Sequence, residues 1–127
     1  MRRICSVLLV GIGLLNLLPI IGVLSADQIT SLYGISIESA DLEILMRHRA
    51  VMLGLIGGFL LLSAFRPPLQ MLAASMGLVS MSSFVILAYI AGDNGVQIHR
   101  VVVADIIGSV AAAFVLVVII REGRNAA

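Results

Sequence analysis

Apolar positions fall into four long stretches separated by short polar clusters, a layout that predicts four helices able to cross a bilayer. The first covers residues 4–24. About twenty helical residues at 1.5 Å each span a hydrocarbon core of about 30 Å. Asn16 and Pro19 interrupt this stretch, and Pro19 predicts a kink, tolerated where neighbouring helices satisfy the carbonyl it frees. Arg2 and Arg3 ahead of an apolar run ending "VLSA" also raise a secretory signal. The run is longer than an ordinary h-region, and Leu24 stands where a cut after Ala26 needs a small residue. A retained helix is therefore expected.

Residues 25–39 are polar and predict an outer loop carrying a short interfacial helix. Ser25 and Gln28 have capping-box spacing, and Gly34 can end the helix they begin. Ile29, Leu32 and Tyr33 share one face, with Tyr33 suited to the headgroup layer. Ser39 is the N-cap expected for a second long helix over residues 40–65, with Asp41 and Glu43 in its dipole-favoured first turn. Its uninterrupted apolar part, residues 50–65, is too short to span. Extension back to Ile44 restores about 33 Å. That extension draws Arg47, His48 and Arg49 into the membrane margin.

"RPP" at 66–68 ends the second helix, because proline cannot continue it. The third helix is expected over residues 69–91 and is rich in small and hydroxyl side chains suited to close packing. "GDNG" at 92–95 is a turn cluster, and the fourth helix covers residues 97–120 before "REGR".

Composition agrees with the pattern. The chain has 127 residues, 61% of them hydrophobic and 12% charged, with a mean hydropathy of +1.16. These values place it in the membrane class, as one integral domain over residues 1–127. The fold class expected is an all-α membrane protein, a four-transmembrane-helix bundle. A net charge of +1 and no aromatic-interleaved basic patch give no basis for nucleic-acid binding. Cys5 is the single cysteine, so neither an intramolecular disulfide nor a cysteine metal cluster can form. It reads as a small apolar helix residue. Phosphate loops, HExxH, CxxC and the nucleophile elbow are all missing from the sequence, so a non-enzyme with no cofactor is expected. Arg2, Arg3, Arg66, Arg121 and Arg124 flank one side of a four-span layout, against Arg47, Arg49 and Arg100 on the other. The positive-inside rule then puts both termini in the cytoplasm.

The candidate chemistry is a polar cluster of Arg47, His48, Arg49, His99, Arg100 and Asp105. Asp105 lies about four residues, roughly 6 Å, into the fourth apolar run. Intramembrane acids usually face the bundle interior and find a partner. Gly108, Ser109 and Ala112 lie within about 60° of it on a helical wheel, so it shares a small-residue face. On the second helix Gly54 and Gly58 each fall within about 20° of Arg47. Helix packing is therefore expected at Gly54, Gly58, Gly108 and Ala112. Arg47, or failing that Arg49, is expected to pair with Asp105. The alternative for Arg49 and Arg100 is snorkelling to headgroups. His48 and His99 are a weak metal signal without nearby cysteines or acid spacing, and a proton-handling role beside a buried carboxylate is the stronger reading.

The segments "SLYG" (31–34), "LMRHRAVMLGLIGGFLLLSAFRPPLQ" (45–70) and "IHRVVVADI" (98–106) resemble a family of small four-helix bacterial membrane proteins without assigned function. Some members of that family carry the label phosphopantetheine adenylyltransferase. That activity belongs to a soluble nucleotidyltransferase with an HxGH segment, and neither His48 nor His99 begins one. A more distant similarity, in layout, is to DoxX-like four-helix membrane proteins, some linked to quinone-dependent oxidation. The resemblance implies a multi-pass protein of the bacterial inner membrane. His48-Arg49 and His99-Arg100 stand 51 residues apart, which also fits a duplicated hairpin.

Three functions follow as expectations. The first is binding or support of a partner protein, a lipid or a small apolar ligand. The second is a proton- or substrate-coupled transporter subunit using the Asp-Arg-His cluster. The third is a quinone-linked redox subunit. Membrane lipid is the expected partner in each, with a homo-oligomer or a membrane partner protein beside it.

Overall fold

A computed structural model describes residues 1–93 and 95–125. Helix α1, Arg2–Leu17, passes into a 3-10 segment, Leu18–Val23. The expected kink at Pro19 is thus a tightening of the helix, with proline placed near the start of the 3-10 turn. A short α2, Ala26–Tyr33, follows. Ser25 accepts a bond from the Gln28 amide at its start, and Gly34 closes it in the left-handed conformation with φ 67°. An irregular stretch leads to α3, Ala40–Ala64, where Ser39 accepts from the Leu42 amide and Asp41 and Glu43 lie in the first turn.

The prolines after Arg66 open the next helix instead of merely ending the last one. Helix α4 is Pro67–Ala91, with proline at its first positions, where the missing N–H is no loss. It therefore starts two residues before the expected 69. The "GDNG" cluster includes Asn94, which lies outside the described residues. Helix α5, Val96–Asn125, continues past the expected end at 120.

Four helices are long and apolar enough to cross a membrane: Arg2–Val23, Ala40–Ala64, Pro67–Ala91 and Val96–Arg124. They form a bundle in which α1 packs on α3 and α5, and α4 packs on α5 and α3. The interior is built largely from small residues, among them Ala50, Gly57, Ala64, Ala73, Ala74 and Ala112. Large apolar side chains such as Leu55, Val79, Ile86 and Ile107 point outward. This distribution lets the helix backbones approach closely.

Helices α1 and α3 approach closely at Gly13 and Gly57. A Cβ on Gly57 would lie 2.7 Å from the Gly13 carbonyl oxygen and 2.8 Å from the Leu17 nitrogen. A Cβ on Gly54 would meet Ile20, and one on Gly108 would meet the Met81 sulfur. Ala112 is fully buried. Gly58 corrects the expectation: it is exposed, and nothing lies within 4 Å of where its Cβ would be. The reason is angular. Taking Ala50 as the centre of the packed face, Gly54 is about 40° and Gly57 about 20° away, whereas Gly58 is about 80° off.

Candidate functional site

At the end of the bundle that carries α2, the four long helices part around a cavity of about 290 Å³. Helix α1 contributes Leu15 and Asn16, and Pro19 follows from the 3-10 segment. Helix α3 contributes Arg49, Met52, Leu53 and Ile56, and α4 contributes Ser80, Ser83, Phe84 and Leu87. Asp105 reaches it from α5 and Tyr33 from α2. The walls therefore mix apolar side chains with convergent polar groups, a composition suited to a small amphiphilic molecule.

Arg49 is the organising side chain. Its guanidinium carbon lies 4.5 Å from the centroid of the Phe84 ring and 5.2 Å from that of Tyr33. Both distances are within the range at which a cation is attracted to an aromatic face. Asp105 shares the cavity, but the ion pairs among the described residues lie elsewhere, at Arg47–Glu43 and Arg2–Glu122. Arg49 and Asp105 thus line one partly open cavity without a direct salt bridge among the described residues. Tyr33 is 6% exposed; burial pushes its phenol pKa up, with Arg49 opposing the shift and Asp105 adding to it.

Asn16 adds a second buried polar group. It is 4% exposed, and its amide nitrogen donates to the Ile12 carbonyl at 3.0 Å and to the Met81 sulfur at 3.6 Å. Among the described residues its amide oxygen accepts no hydrogen bond. One turn below Asp105, the Ser109 hydroxyl is buried and has no hydrogen-bond partner among the described residues.

The sequence-expected cluster divides. Arg49 and Asp105 come together in the cavity. Arg47 does not pair with Asp105: it binds Glu43 one turn earlier, at 2.7 Å. Relative to Ala50, Arg47 lies about 60° to one flank of α3 and Arg49 about 100° to the other. The cavity opens on the Arg49 flank, beside Leu53 and Ile56. A glutamate four residues before an arginine also offers a local partner at no cost in burial. His48 and His99 are exposed, and among the described residues no three His, Cys, Asp or Glu side chains gather as metal ligands. Arg100 is exposed and lines an adjoining crevice with Gln97, Ser31 and Tyr33, the last shared with the cavity. The two His-Arg pairs therefore have different surroundings.

Tyr33, Phe84, Ser80 and Ser83 were missed as site residues. Tyr33 and Asn16 had carried a signal, as a lone aromatic next to a helix-ending glycine and as an amide interrupting an apolar run. Phe84 had none, because an aromatic in an apolar helix is unremarkable by itself. Comparison with family models, curated proteins and solved structures finds no match to this chain.

Proposed function

We propose that the chain is a multi-pass protein of the bacterial inner membrane, with both termini cytoplasmic, that binds a small amphiphilic ligand in the cavity beside α2. The observation that carries this reading is the aromatic-held Arg49 and Asp105 on one cavity with partly apolar walls. Charged groups at such depth are costly and are retained where they meet a partner or a ligand. The missing catalytic motifs support a binding role over an enzymatic one. Insertion is supported by the four apolar spans and their outward-facing large side chains, and orientation by the arginine bias.

Purification in native lipid nanodiscs, followed by mass spectrometry of everything that co-elutes, tests the reading. A bound amphiphile is expected with the unmodified protein and a clear loss with Arg49→Ala, at unchanged helicity by circular dichroism. A protein that retains no small molecule, or retains it equally in the variant, overturns it.

A second reading, movement of a proton or substrate through the bundle, is favoured by one observation. The Ser109 hydroxyl, without a partner among the described residues, extends the polar line from Asp105 one turn deeper. That reading requires a pH-dependent flux in proteoliposomes that Asp105→Asn abolishes.

A further inference from the structure

The polar groups of the cavity have a sign pattern that selects among amphiphiles. Arg49 is a fixed cation, pinned between two rings. Asp105 and Asn16 line the same cavity, and the Asn16 amide oxygen accepts no hydrogen bond among the described residues. A guest with net charge would satisfy one side and leave the other charge uncompensated in a poorly polarisable space. A zwitterionic head satisfies both at once, with its anion on the guanidinium and its cation on the acceptors. Arg49 already occupies the aromatic faces, so a quaternary ammonium would find no cage there. An ammonium with N–H donors suits Asp105 and Asn16 better.

The apolar surroundings indicate what the head is attached to. A groove of about 420 Å³ runs between α1 and α5, lined by Val7, Gly11, Leu15, Ala104, Ile107 and Ala111 among others. Leu15 belongs to both the groove and the polar cavity. From Leu15 to Val7 the groove follows α1 for about 12 Å, away from the α2 end and toward the middle of the apolar span. Polar head at the margin and apolar trough leading inward is the layout of a bilayer lipid. Gly11 keeps the trough open, with nothing within 4 Å of where its Cβ would be.

We infer that this site binds a phosphoethanolamine lipid, with its phosphate on Arg49, its ammonium on Asp105 and Asn16, and one acyl chain in the α1–α5 groove. The inference rests on the amphiphile-binding reading above and names the class of ligand.

The test uses the full chain in nanodiscs holding equal amounts of phosphatidylethanolamine, phosphatidylcholine and phosphatidylglycerol, with native mass spectrometry of the lipid retained on release. Retention of the ethanolamine lipid is expected to exceed that of either other lipid by about tenfold, the worth of one charge-assisted hydrogen bond. Asp105→Asn is expected to erase that preference. Gly11→Leu, whose Cβ meets nothing within 4 Å, puts an apolar side chain into the trough and is expected to weaken lipid retention, while binding of glycerophosphoethanolamine, which has the head alone, stays unchanged. Equal retention of all three lipids, or preference for the anionic or choline lipid, overturns the inference and leaves the amphiphile reading standing. Glycerophosphoethanolamine bound as well as the lipid, with Gly11→Leu silent, overturns the assignment of a lipid source. Retention of no amphiphile at all overturns both readings together.

Discussion

Single residues in this bundle matter according to which neighbour they meet, and two adjacent glycines make the point. Gly57 touches the backbone of α1, whereas Gly58 faces open space. Gly57→Ala is expected to cost about 1–3 kcal/mol, the usual penalty of overpacking. Gly58→Ala is expected to be neutral or to stabilise by a few tenths of a kcal/mol through helix propensity. Unfolding in mixed micelles, followed by circular dichroism, separates the two. The arginines make a second contrast. Arg47 is engaged by Glu43, so Arg47→Ala and Asp105→Asn are expected to be additive in stability within about 0.5 kcal/mol. Arg49→Ala and Asp105→Asn share a cavity and are expected to depart from additivity by more than that in the same double-mutant cycle. Both outcomes are decided by side-chain direction, which differs by about 160° between residues two apart on α3.

Among the elements, α2 is the smallest and the one most directly tied to the site. Its ends are set locally, by the Ser25 cap and the left-handed Gly34, and Gly34 lies against Gln97 of α5. Its face is set by Ile29, 1% exposed, and Tyr33, which covers Arg49. Ser25→Ala is expected to loosen α2 by about 1 kcal/mol, read as faster amide exchange confined to residues 26–33. Burial raises the Tyr33 pKa above its ordinary value near 10, so folding favours the neutral phenol. The stability this group contributes is full below the unfolded value and falls as pH rises through the folded one. Protection of α2 amides should accordingly decline above about pH 10, and Tyr33→Phe should remove that decline. A decline of equal size in Tyr33→Phe would show that another group is responsible. The beginnings of α2 and α3 were legible in the sequence because a cap is a contact between residues three apart. The start of α4 was read two residues late, because proline both ends one helix and opens the next.

For the whole molecule, the arrangement puts α2 at one end of the bundle, and the start of α1 and the last turns of α5 at the other, where Arg2 meets Glu122. If the termini are cytoplasmic, a membrane-impermeant maleimide added to intact spheroplasts should label Gln28→Cys and spare Arg124→Cys until the membrane is broken. The reverse pattern would invert the orientation. Cys5, 1% exposed inside the bundle, should stay unlabelled in either case while the protein is folded.

Periodicity and composition by themselves determined the number of apolar helices, their approximate ends and the polar loop between the first two. These are properties of a chain segment: length against bilayer thickness, caps within one turn, and turn residues between runs. The partner of each charge and each glycine was decided only by tertiary structure. A helical wheel orders side chains around one axis but carries no knowledge of where the neighbouring axes stand. It therefore aligned Arg47 with Gly54 and Gly58, while the contact with α1 is centred near Gly57 and the cavity opens on the opposite flank, at Arg49. The site itself draws on six elements, the five α-helices and the 3-10 segment, and their convergence follows from the packing of α1, α3, α4 and α5 around small residues.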